Sequence, residues 1–229
     1  MRVIVVRHHD VDDPGFIGAA FAARGGELDI HLFPDEGTLP SLDGADHIVV
    51  LGAKWSVYDD ATIGDWMAQE LAWLREADAR GIPVLGICFG AQALSAAHGG
   101  SVEPAGRFEI GWTKVDSTDT DIIEPGPWLE FHRDRCVPPA QARVLATTEV
   151  GVQAFMIGAN LAVQFHPEVD GPQLRRWLDD ADCAAEAAAA GQEQGRFMAE
   201  TIAEEGAAAA RADRLVGVAI RIAQEHASA

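Results

Sequence analysis

Cys88 lies in Gly86-Ile87-Cys88-Phe89-Gly90-Ala91-Gln92, directly after the apolar run Ile82-Pro83-Val84-Leu85. The pattern predicts a buried strand that ends in a tight, glycine-flanked turn. A helix then begins through Ala91, Ala93, Leu94, Ala96 and Ala97. A cysteine on such an elbow projects its sulfur from the carboxyl edge of a sheet. It also sits at a helix N-terminus, where free N–H groups and the helix dipole favour thiolate over thiol. The flanking glycines leave room for backbone geometry that a side chain would block, and for close approach of a substrate. On residue type alone a buried structural cysteine is the commoner role. The elbow reverses that weighting.

A thiolate nucleophile needs a base, and the base needs an orienting group. Downstream lies Ala162-Val163-Gln164-Phe165-His166-Pro167-Glu168-Val169. Leu161 to Phe165 reads as a buried strand with His166 and Glu168 at its end. In an extended chain residues two apart point to the same side, and Pro167 favours that geometry by biasing His166 away from helical angles. One ring nitrogen of His166 is then available to Glu168 and the other to Cys88. A lone histidine is more often structural, but a His-Pro-Glu clip alongside a cysteine elbow points to nucleophilic acyl chemistry.

Taken together, Gly86-Ile87-Cys88-Phe89-Gly90-Ala91-Gln92 and Gln164-Phe165-His166-Pro167-Glu168-Val169 resemble the class I glutamine amidotransferases, in particular the glutaminase domain of GMP synthase and its stand-alone relatives. The resemblance runs from about Val3 to Val169. It implies hydrolysis of the glutamine side-chain amide through a γ-glutamyl thioester, with Cys88 as nucleophile, His166 as general base and acid, and Glu168 as orienter.

The resemblance assigns further residues. Ile48-Val49-Val50-Leu51-Gly52-Ala53-Lys54-Trp55-Ser56-Val57 stands where the family reads Gly-Gly-Pro-x-Ser. That loop supplies one oxyanion-hole N–H, here near Ala53, and Phe89 supplies the other. Gly52 is kept; Ala53 and Lys54 replace a glycine and a proline. A backbone donor survives an alanine where the local angles permit it. Phe131-His132-Arg133-Asp134 stands where the family has Ser-His-Gly-Asp, a segment that helps hold the glutamine head group. His132 and Asp134 match; Phe131 and Arg133 do not. Arg133 either pairs with a substrate carboxylate, closes the glutamine pocket, or faces solvent without a role. Gln92 matches a family glutamine that contacts substrate, and Glu109 and Gly111 match a Glu-x-Gly of mainly structural role. The substrate-binding set is therefore Gly52, Gln92, His132, Arg133 and Asp134.

Composition narrows the class. A chain of 229 residues accommodates one sizeable α/β core. The net charge of −19 and pI near 4.6 argue against nucleic-acid binding, which needs a basic surface. The apolar run after Met1 is too short for a signal peptide and is followed at once by Arg7-His8-His9-Asp10. No run is long enough to span a membrane. Cys88, Cys136 and Cys183 are few, scattered and odd in number, which suits a reducing cytoplasm rather than a disulfide framework. No zinc-type spacing of Cys or His occurs, and neither metal nor cofactor is expected. His8-His9-Asp10 reads as a loop shaping the rim of the site in preference to a metal cluster.

The elements that must position these groups follow from periodicity. Strands are predicted at Val3–Val6, Asp29–Phe33, His47–Leu51 and Val84–Ile87, and helices at Gly15–Arg24, Ile63–Arg80 and Gly90–His98. Short strands follow near Gly111–Val115, Arg143–Thr147, Val152–Ile157 and Leu161–Phe165. The expected fold is α/β: a mostly parallel sheet with helices on both faces, an antiparallel extension and a C-terminal helical segment. Residues 1–169 form the α/β domain. Residues 170–229 form a helical extension, with one amphipathic helix around Leu174, Trp177 and Leu178 and a longer pair through Phe197, Ile202, Leu215, Val218, Ile220 and Ile222. This extension either packs on the domain or forms a homodimer or partner surface.

Three functions remain open. The first is a glutaminase passing ammonia to a separate synthetase subunit, since no Walker-type phosphate loop is present. The second is a γ-glutamyl peptidase or amide hydrolase with a larger leaving group. The third is a non-catalytic binding or regulatory subunit.

Overall fold

The computed structural model describes residues 1–228. Its core is a mixed ten-stranded sheet whose main path runs β2-β1-β3-β4-β10-β9-β7-β5. The parallel part comprises β1 (Arg2–Arg7), β2 (Glu27–Leu32), β3 (His47–Val50), β4 (Val84–Ile87) and β10 (Asn160–Val163). The antiparallel part comprises β5 (Ser101–Thr113), β7 (Trp128–Val137), β8 (Arg143–Thr147) and β9 (Val152–Ile157), with the short β6 (Asp116–Ser117) on β8. The expected architecture holds, and its antiparallel extension is as large as the parallel half.

Period-two alternation explains why the central strands are apolar throughout. On β1, Val3 and Val5 enter one core layer while Ile4 and Val6 enter the other. On β3, Ile48 and Val50 join the second layer and Val49 the first. A strand covered on both faces needs no polar side. The second layer lies under α2 (Asp60–Ala79) and α3 (Phe89–Ala97), and the first under α1 (Gly15–Ala23) and the C-terminal helix.

Two departures from the periodicity reading matter for the site. The long strand β7 was not anticipated, because its buried face carries Glu130, His132, Asp134 and Cys136 and reads as polar loop. The C-terminal pair is instead a single 34-residue helix, α6 (Gln194–Ala227), preceded by α4 (Gly171–Asp179) and α5 (Ala181–Ala189). Ala207 to Ala210 are strong helix formers and carry α6 through Gly206. Its residues Ala212, Leu215, Val216 and Ala219 pack into the first core layer, and Arg24, at the C-terminal cap of α1, donates to the Asp213 carboxylate. At its other end Phe197 and Met198 close a third cluster with Leu174, Trp177 and Leu178 of α4, against Ile110 and Leu129 of the sheet.

Candidate active site

Cys88 is the junction between β4 and α3, and its backbone angles, φ 50° and ψ −105°, are of a kind that L side chains rarely adopt. It is the one non-glycine residue with positive φ among the described residues. The neighbouring glycines serve a different end. A Cβ on Gly90 would come within 2.2 Å of the Val50 carbonyl oxygen, and one on Gly86 within 2.6 Å of the Gly90 oxygen. Gly86 and Gly90 thus let α3 start hard against the sheet, while Cys88 itself carries the unusual angles. Its N–H is held by Val163 O at 2.8 Å. Phe89 opens α3, so its N–H lies in the first turn, where no intrahelical acceptor exists.

His166 follows β10, its N–H bonded to Leu129 O at 2.7 Å. Its Nδ1 lies 2.7 Å from Glu168 Oε1, with both side chains buried. Burial opposes the imidazolium, but Glu168 and Cys88 outweigh it, and the pKa rises well above the ordinary histidine value. Glu168 is anchored through its carbonyl, which accepts from Phe16 N–H at 3.0 Å. A Cβ on Gly52 would lie 2.9 Å from His166 Cε1 and 3.7 Å from Cys88 Cβ. The glycine therefore marks the point where the loop, the imidazole and the cysteine converge. Sequence reasoning named Cys88, His166, Glu168 and Gly52, and the fold brings all four together.

The rim expectation for His8-His9-Asp10 divides. His8 is buried, with Nε2 3.0 Å from Glu70 Oε2 and Nδ1 3.3 Å from Gly52 O. Burial lowers its pKa, yet the Glu70 carboxylate raises it further, leaving it above the usual value. His9 and Asp10 are exposed and pair with each other. Both histidines line the cleft.

Strand periodicity splits Phe131-His132-Arg133-Asp134 in two. His132 and Asp134 lie on the buried face of β7, with Phe131 and Arg133 on the other. His132 Nδ1–H donates to Asp134 O at 2.9 Å, and Nε2 faces Glu109 Oε2 at 3.1 Å and Glu130 Oε2 at 3.2 Å. Burial again opposes the cation, but the two carboxylates raise the His132 pKa to about 10. Burial pushes the Glu130 carboxyl up. These three residues group their potential ligand atoms within 4.8 Å, the one such metal-ligating trio among the described residues. A shared imidazolium supplies a cation for both carboxylates there. Asp134 accepts from Ser56 Oγ and from Tyr58 Oη, the latter at 2.8 Å, so it ties down the chain that follows Ala53.

On the opposite face Arg133 donates to Glu186 Oε1 at 2.7 Å and to Lys54 O at 3.0 Å. Phe131 meets Trp177 edge to face at a centroid distance of 5.4 Å, and Trp177 also stands over His166 at 4.9 Å. The Trp177 Nε1–H bonds Asp12 Oδ1 at 3.1 Å. Sequence reading missed Trp177 as part of the site. Its apolar periodicity in α4 was legible, but not its destination.

These groups line a cleft of about 620 Å³ that runs from Gly52, Ala53, Cys88, Gln92 and His166 outward to Asp182 and Glu186. That size is within the range of roughly 300–1,000 Å³ usual for small-molecule sites. His132, Arg133 and Asp134 all border it, with the polar groups described above engaged by protein partners. Phe89 turns its ring away, against His8 and Trp66.

Comparison with known proteins places this geometry in context. Residues 17–180 match the glutamine amidotransferase class-I family. One subunit of the glutamine-hydrolyzing GMP synthase of Sulfolobus acidocaldarius is 34% identical over 61% of this chain and 76% of its own length. A glutamine-hydrolyzing GMP synthase of Phocaeicola vulgatus is 33% identical over 59% of this chain, but the match spans only 27% of that longer protein. A glutamine amidotransferase from Thermotoga maritima of known crystal structure superposes with a TM-score of 0.86 and 24% identity, covering 96% of this chain and 98% of the other. The glutamine amido transferase of Methylobacillus flagellatus gives 0.83 and 20%, over 96% and 94%. These two structural likenesses concern the fold.

Proposed function

The chain belongs to the class I glutamine amidotransferase family, and on that premise we propose that it hydrolyses a γ-glutamyl amide, with glutamine giving glutamate and ammonia. The observation that carries this reading is Cys88 on its strained elbow beside the buried His166–Glu168 pair, at the floor of a cleft. The Cys88 thiolate attacks the γ-carbonyl carbon, and the oxygen, now an oxyanion, is met by the N–H groups of Ala53 and Phe89. His166, held as an imidazolium by Glu168, gives its proton to the departing nitrogen; the C–N bond breaks, ammonia leaves and the γ-glutamyl group stays on Cys88 as a thioester. The neutral imidazole then takes a proton from water, the hydroxide adds to the thioester, and glutamate leaves as the thiolate is restored. Gln92 and Gly52 border the substrate, while His132, Arg133 and Asp134 hold its walls.

The relatives from Sulfolobus acidocaldarius and Saccharolobus solfataricus carry their glutamine-hydrolyzing name as one subunit of a synthase. By analogy, ammonia made here passes to a separate synthetase polypeptide. A second reading is favoured by the outward reach of the cleft along α4 and α5 to Asp182 and Glu186: a γ-glutamyl amide or peptide whose leaving group is larger than ammonia.

Incubation of the purified chain with glutamine, with ammonia release measured by a coupled assay and the thioester by intact mass, tests the proposal. Turnover that disappears in Cys88→Ala supports the glutaminase. Turnover of γ-glutamyl amides but not of glutamine supports the second reading. A folded protein inert toward both, and toward a glutamine-like electrophile, sinks the catalytic reading in favour of a binding or regulatory role.

A further inference from the structure

Two buried residues stand behind Cys88 without a role in the hydrolysis. Gln164, between β10 and His166, directs its side-chain Nε2 to Cys88 Sγ at 3.5 Å. Its Oε1 accepts from Gln92 Nε2 at 3.3 Å and from Cys136 Sγ at 3.5 Å. Four side chains from three regions of the fold, α3 with its elbow, β7 and the end of β10, meet here, each at most 6% exposed.

We propose that Gln164 is a catalytic hydrogen-bond donor to the Cys88 thiolate, and that Cys136 is a positioning residue that keeps the Gln164 amide facing it. The amide has only one workable orientation. Reversed, its oxygen would face the lone pairs of the thiolate, and its NH₂ would face the NH₂ of Gln92. The Cys136 S–H would also lose its acceptor, and a buried polar group without a partner is costly. Cys136 can act as donor only as a thiol. Burial pushes its pKa far above the ordinary thiol value, and the neighbouring Cys88 charge adds to this. It therefore stays protonated and remains a donor. The two cysteines thus divide the labour, one as nucleophile and the other as a fixed donor two hydrogen bonds behind it.

The Gln164 bond approaches the sulfur independently of His166. It therefore persists when the imidazolium has given up its proton, and it stabilises the thiolate again as that group leaves the thioester. A hydrogen bond to a charged acceptor is stronger than one between neutral groups. Removing the donor should slow reactions of the Cys88 sulfur by about tenfold, corresponding to about 1.4 kcal/mol.

The inference rests on Cys88 being the nucleophile, but its test needs no substrate. Iodoacetamide alkylation of Cys88, followed by peptide mass spectrometry, reads the thiolate directly, so a protein that fails to turn over glutamine can still support or refute it. In Gln164→Met, which keeps the length and loses the donor, alkylation of Cys88 at neutral pH is expected to slow about tenfold. A rate equal to wild type overturns the proposal. Cys136 provides the second arm, which also decides the matter if Gln164→Met does not fold by circular dichroism. Cys136→Ser retains an O–H donor and should keep the wild-type alkylation rate, while Cys136→Ala should lose several-fold. Identical rates for these two variants overturn the role of Cys136, and with it the fixed orientation on which the Gln164 assignment depends.

Discussion

Arg133 on β7 reaches across the cleft to Glu186 on α5, with Nη1 2.7 Å from Oε1, while Nη2 holds the Lys54 carbonyl at 3.0 Å. One guanidinium therefore links the loop after Gly52 to the C-terminal helices. Both members of the ion pair are partly exposed, so the pair itself contributes at most about 1 kcal/mol to stability. Arg133→Gly, which restores the family pattern, should leave urea denaturation within about 1 kcal/mol of wild type. It should change KM for the preferred γ-glutamyl substrate more than kcat, because the wall moves while Cys88, His166 and Glu168 do not. Steady-state kinetics beside a denaturation curve test this; an unchanged KM with a collapsed kcat would contradict it.

Cys88 carries backbone angles suited to glycine, and strain of this kind costs of order 1–3 kcal/mol. Both Cys88→Gly and Cys88→Ala should be inactive, but the glycine variant should be the more stable of the two by about 1 kcal/mol. The comparison removes the sulfur in both arms and isolates the backbone. Thermal unfolding that ranks alanine above glycine would show that the elbow is unstrained.

Gly52→Ala should damage the site without damaging the fold. The new Cβ would lie 2.9 Å from His166 Cε1, and the ring has little freedom to retreat, held by Glu168 at 2.7 Å and covered by Trp177. Displacement of a general base by a fraction of an ångström costs about tenfold to a hundredfold in rate. The expected result is a fall in kcat of that order with a midpoint of thermal unfolding close to wild type. A large loss of stability instead would show that the clash is relieved by moving the loop.

His132 links stability to pH. Its pKa rises from 6.5 to about 10 in the folded chain, where Glu109 and Glu130 outweigh the burial that disfavours its charge. The folded state thus binds the proton more tightly than the unfolded state. The stabilisation is complete below the unfolded value of 6.5, and it is lost as pH rises from there through about 10. Urea denaturation across that window should show stability falling with pH in wild type. The decline should flatten in His132→Gln, which should also be less stable near neutral pH. Parallel slopes in the two proteins would mean that His132 is neutral in the fold.

Much of this protein is readable from short stretches of chain. Val3–Val6 and Val84–Ile87 announce buried parallel strands because an apolar run bounded by turn residues has few other solutions. Cys88, His166 and Glu168 are legible because each motif carries its own local geometry: an elbow where backbone must touch backbone, and a proline that keeps His166 and Glu168 on one side. What the sequence could not decide lies in pairings between distant segments. β7 hides because its alternation is of polar groups buried against one another, and Glu130, His132 and Asp134 find partners only once β5 and the loop after β3 are alongside. Whether Arg133 meets a substrate, solvent or Glu186 depends on where α5 returns, and the contact of Trp177 with His166 depends on where α4 returns. Local sequence specified the reactive groups, because turn and strand geometry are settled within a few residues. The walls around them were decided only by tertiary structure, because each wall is half of a contact whose other half is far away in the chain.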